Sequence, residues 1–178
     1  MPVVTEEDQQ TSRRTFLVTS AAGQAVLIVV VFAVVGAIAG VVWEWLWTPP
    51  EAVVAQHAVQ PTLEAVRGEF SGTAWYVVVA SVAGLVTSCV LALAFDRREI
   101  VTLAAVAAGS VLAAWLMLRV GTALGPADPK TVAAGAANGT KVPMELDVSG
   151  FSPYLAFPGG ALIGLVVVFF GVGRLHRN

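Results

Sequence analysis

Few side chains in this sequence could do chemistry, and the most unusual of them lie in apolar surroundings. Glu44 and Arg119 sit near the ends of two long hydrophobic runs, Cys89 lies in the middle of another, and His57 and His176 stand far apart. A carboxylate and a guanidinium inside hydrocarbon each carry a large cost and seek an opposite charge. Glu44 and Arg119 are the one opposite-charge combination those runs offer, so the expectation is an intramembrane ion pair; the alternative is that each snorkels to the interface, which lies within about two turns of both. A single pair near one surface makes no path across a bilayer, so its expected role is a structural staple rather than a proton or ion relay. The lone Cys89 has no partner for an intramolecular disulfide and reads as a small packing residue. The two histidines lack the ligand spacing of a metal site. Motifs for a nucleophile, a metal or a phosphate loop do not occur. The sequence therefore nominates no catalytic, cofactor-binding or metal residue and no small-molecule substrate. Its formal net charge of −2 gives no basic patch for nucleic acid.

What must position these residues is a set of four apolar stretches, 24–47, 73–95, 100–124 and 153–173. Each approaches the ~20 residues that an α-helix needs to cross ~30 Å of hydrocarbon. Hydrocarbon offers backbone groups no partners, so such stretches span as helices. Composition agrees: the chain is 57% hydrophobic and 12% charged, about half the charge of a typical soluble domain. The expected fold is all-α and membrane-embedded, an antiparallel bundle of four transmembrane helices. Residues 1–22 read as a disordered cytoplasmic tail, and 48–72 and 125–152 as outer segments.

Basic residues set the expected orientation. Arg13 and Arg14 precede the first span, Arg97 and Arg98 fill the turn after the second, and Arg174 and Arg177 follow the fourth; the other side holds Arg67, Lys130 and Lys141. The positive-inside rule then puts both termini in the cytoplasm, across the plasma membrane. The short turn at 96–99 predicts a helical hairpin of spans two and three. Ser12-Arg13-Arg14-Thr15-Phe16-Leu17 matches the twin-arginine export pattern, yet a full span follows and no small-residue cleavage site closes it. It reads as an uncleaved signal anchor.

Small residues at four-residue spacing give each span one smooth face: Gly36 and Gly40, then Gly84, then Gly109, then Gly160 and Gly164. Helices in lipid associate through such close backbone approach. The faces serve either packing within the chain or docking onto another membrane protein, and the first use is favoured. Glu44 continues the Gly36–Gly40 stripe and is expected to face other helices. Trp43, Trp45, Trp47, Trp75, Trp115 and Tyr154 all fall on the outer half, as an interfacial belt would.

In the outer segments, residues 141–148 alternate polar and apolar as a half-buried strand does. Pro143 confines that strand to an edge or falls in its first turn, and 51–57 is its best partner, so a small extracytoplasmic β-containing cap is expected. Ser152-Pro153 looks like a helix start, and Pro158 is expected to kink the last span.

Gly40-Val41-Val42-Trp43 with Pro49-Pro50, Arg119-Val120-Gly121, Val142-Pro143-Met144-Glu145-Leu146 and the proline-opened last span resemble an uncharacterised family of actinobacterial four-helix integral membrane proteins. The resemblance covers about 27–170. It implies the same topology and no assigned activity. The expected function is therefore non-enzymatic: an accessory or scaffold subunit of a cell-envelope membrane complex, partnered by the lipid bilayer and by another membrane protein. The alternative is a small oligomeric channel or transporter component.

Overall fold

The computed structural model of the chain describes residues 21–55, 58–60, 62–95 and 99–175. Arg13, Arg14, His57, Arg97, Arg98, His176, Arg177 and most of the 1–22 segment lie outside them. Four long helices are present, α1 (Ala21–Leu46), α2 (Leu63–Ala94), α3 (Glu99–Leu124) and α5 (Ala156–Leu175). All four are long and apolar enough to cross a membrane, and the chain is built as a multi-pass membrane protein.

The boundaries differ from expectation mainly at α2. This helix begins at Leu63, ten residues before the apolar run, so the second half of the segment expected outside the span continues it as helix. A one-turn 3₁₀ helix (Ser152–Leu155) precedes α5, with Pro153 at its start. Pro158 therefore falls in the first turn of α5, where a missing N–H forfeits no intrahelical bond. The kink expected from that proline has no cause there.

The helices do not pack in the order of the chain. The most extensive contacts join α1 to α3 and α2 to α5; α3–α5 and α1–α2 contacts are fewer, and α2 and α3 barely touch. The order around the bundle is α1-α3-α5-α2, which places α2 and α3 on a diagonal. Spans two and three, expected to form a hairpin, are consecutive and antiparallel, but each finds its main contact on another helix. The cause is which faces are small. A Cβ on Gly36 would lie 2.5 Å from the Ala113 carbonyl oxygen, and one on Gly40 would lie 2.6 Å from that of Met117. Gly109 faces the Phe32 ring. On the other pair, Gly84 abuts the Phe157 carbonyl, Gly160 that of Ser81 and Gly164 that of Leu85. Partners advance together by one turn, from Gly36–Ala113 to Gly40–Met117 and from Ser81–Gly160 to Leu85–Gly164, so α1 and α3 run parallel, as do α2 and α5. Sequence-adjacent helices are antiparallel, but the closest packing is between parallel ones.

Above one end of the bundle sits a three-stranded antiparallel sheet, in the order β2 (Ala58–Gln60), β1 (Glu51–Ala55), β3 (Lys141–Pro143). Ala52 pairs with Val142 and Glu51 with Pro143, so the expected partners do meet. The strand from Lys141 stops at Pro143, on the edge where a missing N–H is tolerated. The hairpin partner β2 was not expected. A five-residue helix, α4 (Pro129–Ala133), capped by Asp128, closes the sheet. Val54, Val142 and Ala133 form a small core beneath it. Leu146 and Val148 reach down into the bundle's own core and join cap to membrane domain.

Candidate functional site

The interior of the bundle is close-packed and apolar, with Phe32 and Phe157 meeting edge-on at 6.1 Å near its centre. Polar side chains inside it are few, and among the described residues every buried side-chain nitrogen or oxygen has a hydrogen-bond partner. Gln24 Nε2 donates to Thr102 Oγ1 at 2.8 Å, tying α1 to α3 at the end away from the cap. The Tyr76 hydroxyl donates to the Ala114 carbonyl at 3.0 Å, across from α2 to α3. Ser88 and Ser110 donate to carbonyls of their own helices. Cys89 lies against α5, its thiol 3.5 Å from the Gly164 carbonyl. Among the described residues, no group of three or more His, Cys, Asp or Glu is placed to hold a metal ion.

Glu44 and Arg119 do not meet. An ion pair does form on the cap, where Lys141 Nζ and Glu51 Oε2 lie 2.7 Å apart and exposed. Arg119 is exposed, with its guanidinium carbon 5.5 Å from the centre of the Trp115 ring, within cation–π range. Helix geometry explains the miss. Ala113, Met117 and Gly121 face α1, and Arg119 lies two residues from each of the last two, about 200° around the helix. Glu44 is half-buried. A four-residue stripe drifts ~40° per step on a helix of 3.6 residues per turn, so after Gly40 the inward position is Trp43. Because the two charges act apart, the costs of Glu44→Gln and Arg119→Gln are expected to add within about 0.5 kcal/mol. Thermal unfolding of both single variants and the double in detergent measures this; a coupling above about 1 kcal/mol would restore the pair.

The tryptophans divide into two groups. Trp45, Trp75 and Trp115 are exposed, and Tyr154 is half-buried beside Tyr76. Trp43 and Trp47 are buried, against the expectation of an interfacial belt. Their indole N–H groups donate to the carbonyls of Gly72 and Gly68, at 2.8 and 3.4 Å. Two indoles one turn apart, Trp43 in the last turn of α1 and Trp47 just past its end, thus grip two glycines one turn apart on α2. A side chain at Gly72 would meet the Trp47 ring, and one at Gly68 would meet Pro50. The W-x-x-x-W and G-x-x-x-G spacings on neighbouring helices were the available signal.

Shape appears on the lateral surface instead. One groove, of about 520 Å³, lies between α1 and α2, with Ile38, Val42 and Trp75 on its walls. A longer slot, of about 930 Å³, lies between α2 and α5. Val78 and Val82 form the ridge between the two.

No protein-family model, curated protein or solved structure matches this chain. Any functional reading therefore stands on these residues.

Proposed function

We propose that this chain is a non-enzymatic component of the plasma membrane, with both termini cytoplasmic, that acts as an accessory or scaffold subunit by binding another membrane protein of the cell envelope. The observation that carries this reading is the division of labour among its surfaces. The small-residue faces of all four helices are consumed inside the chain, and the interior is apolar with its polar groups satisfied. A water-filled path would need polar groups lining it, and a dry core favours binding over passage. The surfaces left for a partner are the groove between α1 and α2 and the cap. The cap's two segments hold six acids against three bases, which favours a partner with a basic extracytoplasmic surface.

A thiol placed on the cap tests both the side and the partner. The Cβ of a residue at Gly135 would meet nothing within 4 Å, so Gly135→Cys in a Cys89→Ala background leaves the packing alone. A membrane-impermeant thiol crosslinker applied to intact cells is expected to give one reproducible adduct of distinct mass. Protection of that thiol in intact cells would reverse the orientation. Saturable solute flux in vesicles holding the purified protein alone would replace the scaffold reading with the channel alternative.

A further inference from the structure

The slot between α2 and α5 opens sideways, on the part of the surface that faces hydrocarbon in a membrane. It runs from Phe70 and Ser152 near the cap to Leu85 and Ile163 near the middle of the bundle. We propose that it holds one acyl chain of a phospholipid from the cap-side leaflet, with the phosphate at Arg67.

The length of the slot matches one leaflet. Residues 70 to 85 of α2 span about 22 Å at ~1.5 Å per residue. That equals one leaflet of a bilayer ~40–45 Å thick with its headgroups. The slot has a volume of about 930 Å³ and is open along that whole length, so an extended polymethylene chain can lie in it from headgroup depth to the bilayer middle.

Chemistry agrees with size. Val77, Val82, Leu85, Leu155 and Ile163 present hydrocarbon along the walls, and hydroxyls of Thr73 and Ser152 stand at the cap end. Water finds too few partners in such a space to stay ordered. Arg67 is exposed one turn beyond Phe70, on the helix face that continues through Ala74, Val78 and Ser81. A guanidinium there is at headgroup depth and matches a phosphate in charge and in hydrogen-bonding geometry.

The slot owes its depth to what α5 lacks. A Cβ at Gly159 would meet nothing within 4 Å, whereas its neighbour Gly160 is pressed onto the Ser81 carbonyl. The floor is thus closed by backbone contact and the space above it is left open by a missing side chain. A large residue at Gly159 fills the space of the chain without touching helix packing, and it replaces glycine with a better helix former.

The test compares wild type, Gly159→Leu, Ala74→Leu (which fills the slot from the opposite wall) and Val111→Leu (an exposed position on α3 away from it). Each is purified in mild detergent, titrated with palmitoyl-oleoyl phosphatidylglycerol and read by native mass spectrometry. Wild type and Val111→Leu are expected to carry one lipid per chain, and the two filled variants at least tenfold less at unchanged melting temperature. Arg67→Gln is expected to weaken binding several-fold. Absence of a retained lipid on the wild type, or wild-type retention by both filled variants, overturns the proposal. Loss of a dimer in the filled variants would assign the slot to a second copy and overturn it too. Should Gly159→Leu melt early, Ala74→Leu carries the comparison. Retention unchanged by Arg67→Gln removes the phosphate contact from the assignment. None of these readouts depends on a protein partner.

Discussion

Gly36→Leu is expected to cost about 3 kcal/mol or more, the upper range for forcing a side chain into a packed interior. The new Cβ would stand 2.5 Å from the Ala113 carbonyl oxygen and 2.6 Å from its Cα. Both are backbone atoms of α3, so no rotamer change relieves the clash and the helices must separate. Separation also loosens the Gln24–Thr102 hydrogen bond and the seat of Phe32 on Gly109, because all lie along the same contact. Gly171→Leu is the matched control, since a Cβ there meets nothing within 4 Å. Thermal unfolding in detergent measures both. Similar melting temperatures for the two variants would mean that α1 and α3 do not pack as described.

Trp43→Ala is expected to cost about 3–5 kcal/mol, as truncation of large buried aromatics does. Trp43 is fully buried, meets the Tyr76 ring edge-on at 5.1 Å and covers Gly121. Trp43→Phe keeps an aromatic ring and loses the donor to the Gly72 carbonyl, so about 1–2 kcal/mol is expected. Trp45, 79% exposed, is expected to change stability by about 0.5 kcal/mol or less when replaced by alanine. The order Trp43→Ala, Trp43→Phe, Trp45→Ala is the checkable result, by chemical or thermal unfolding in one detergent. An effect at Trp45 equal to that at Trp43 would return all three tryptophans to the bilayer interface.

The spans were legible because length and apolarity alone satisfy the bilayer's demand on the backbone. Pairing of Glu51–Ala55 with the strand at Lys141 was legible from alternation and from the position of Pro143. Partner choice among the helices was not legible, because every span carries a small face and spacing alone does not say which two faces fit. Arg119 was a different kind of miss. Extending the Gly109–Ala113 stripe by two further steps reaches Met117 and Gly121, and that step alone turns Arg119 outward. The indole–glycine grip joins residues in two different elements, and sequence alone places Gly68 and Gly72 in the outer segment 48–72, so half of its pattern was hidden. The slot at Gly159 was hidden for a related reason: a glycine that opens space and one that closes it look the same in a sequence.

The parallel pairing has a consequence for the order of events during synthesis. A ribosome delivers α1 and α2 to the membrane before α3 and α5 exist, yet each of the first two finds its principal contact in the second half. Until residues 99–124 have been made, the face of Gly36 and Gly40 has no principal partner in the nascent chain, and Gly84 waits longer still, for α5. Within the first hairpin itself, the tryptophan grip ties the cap end together. The two hairpins then close on each other like the halves of a clasp, and each half remains incomplete as a folding unit without the other.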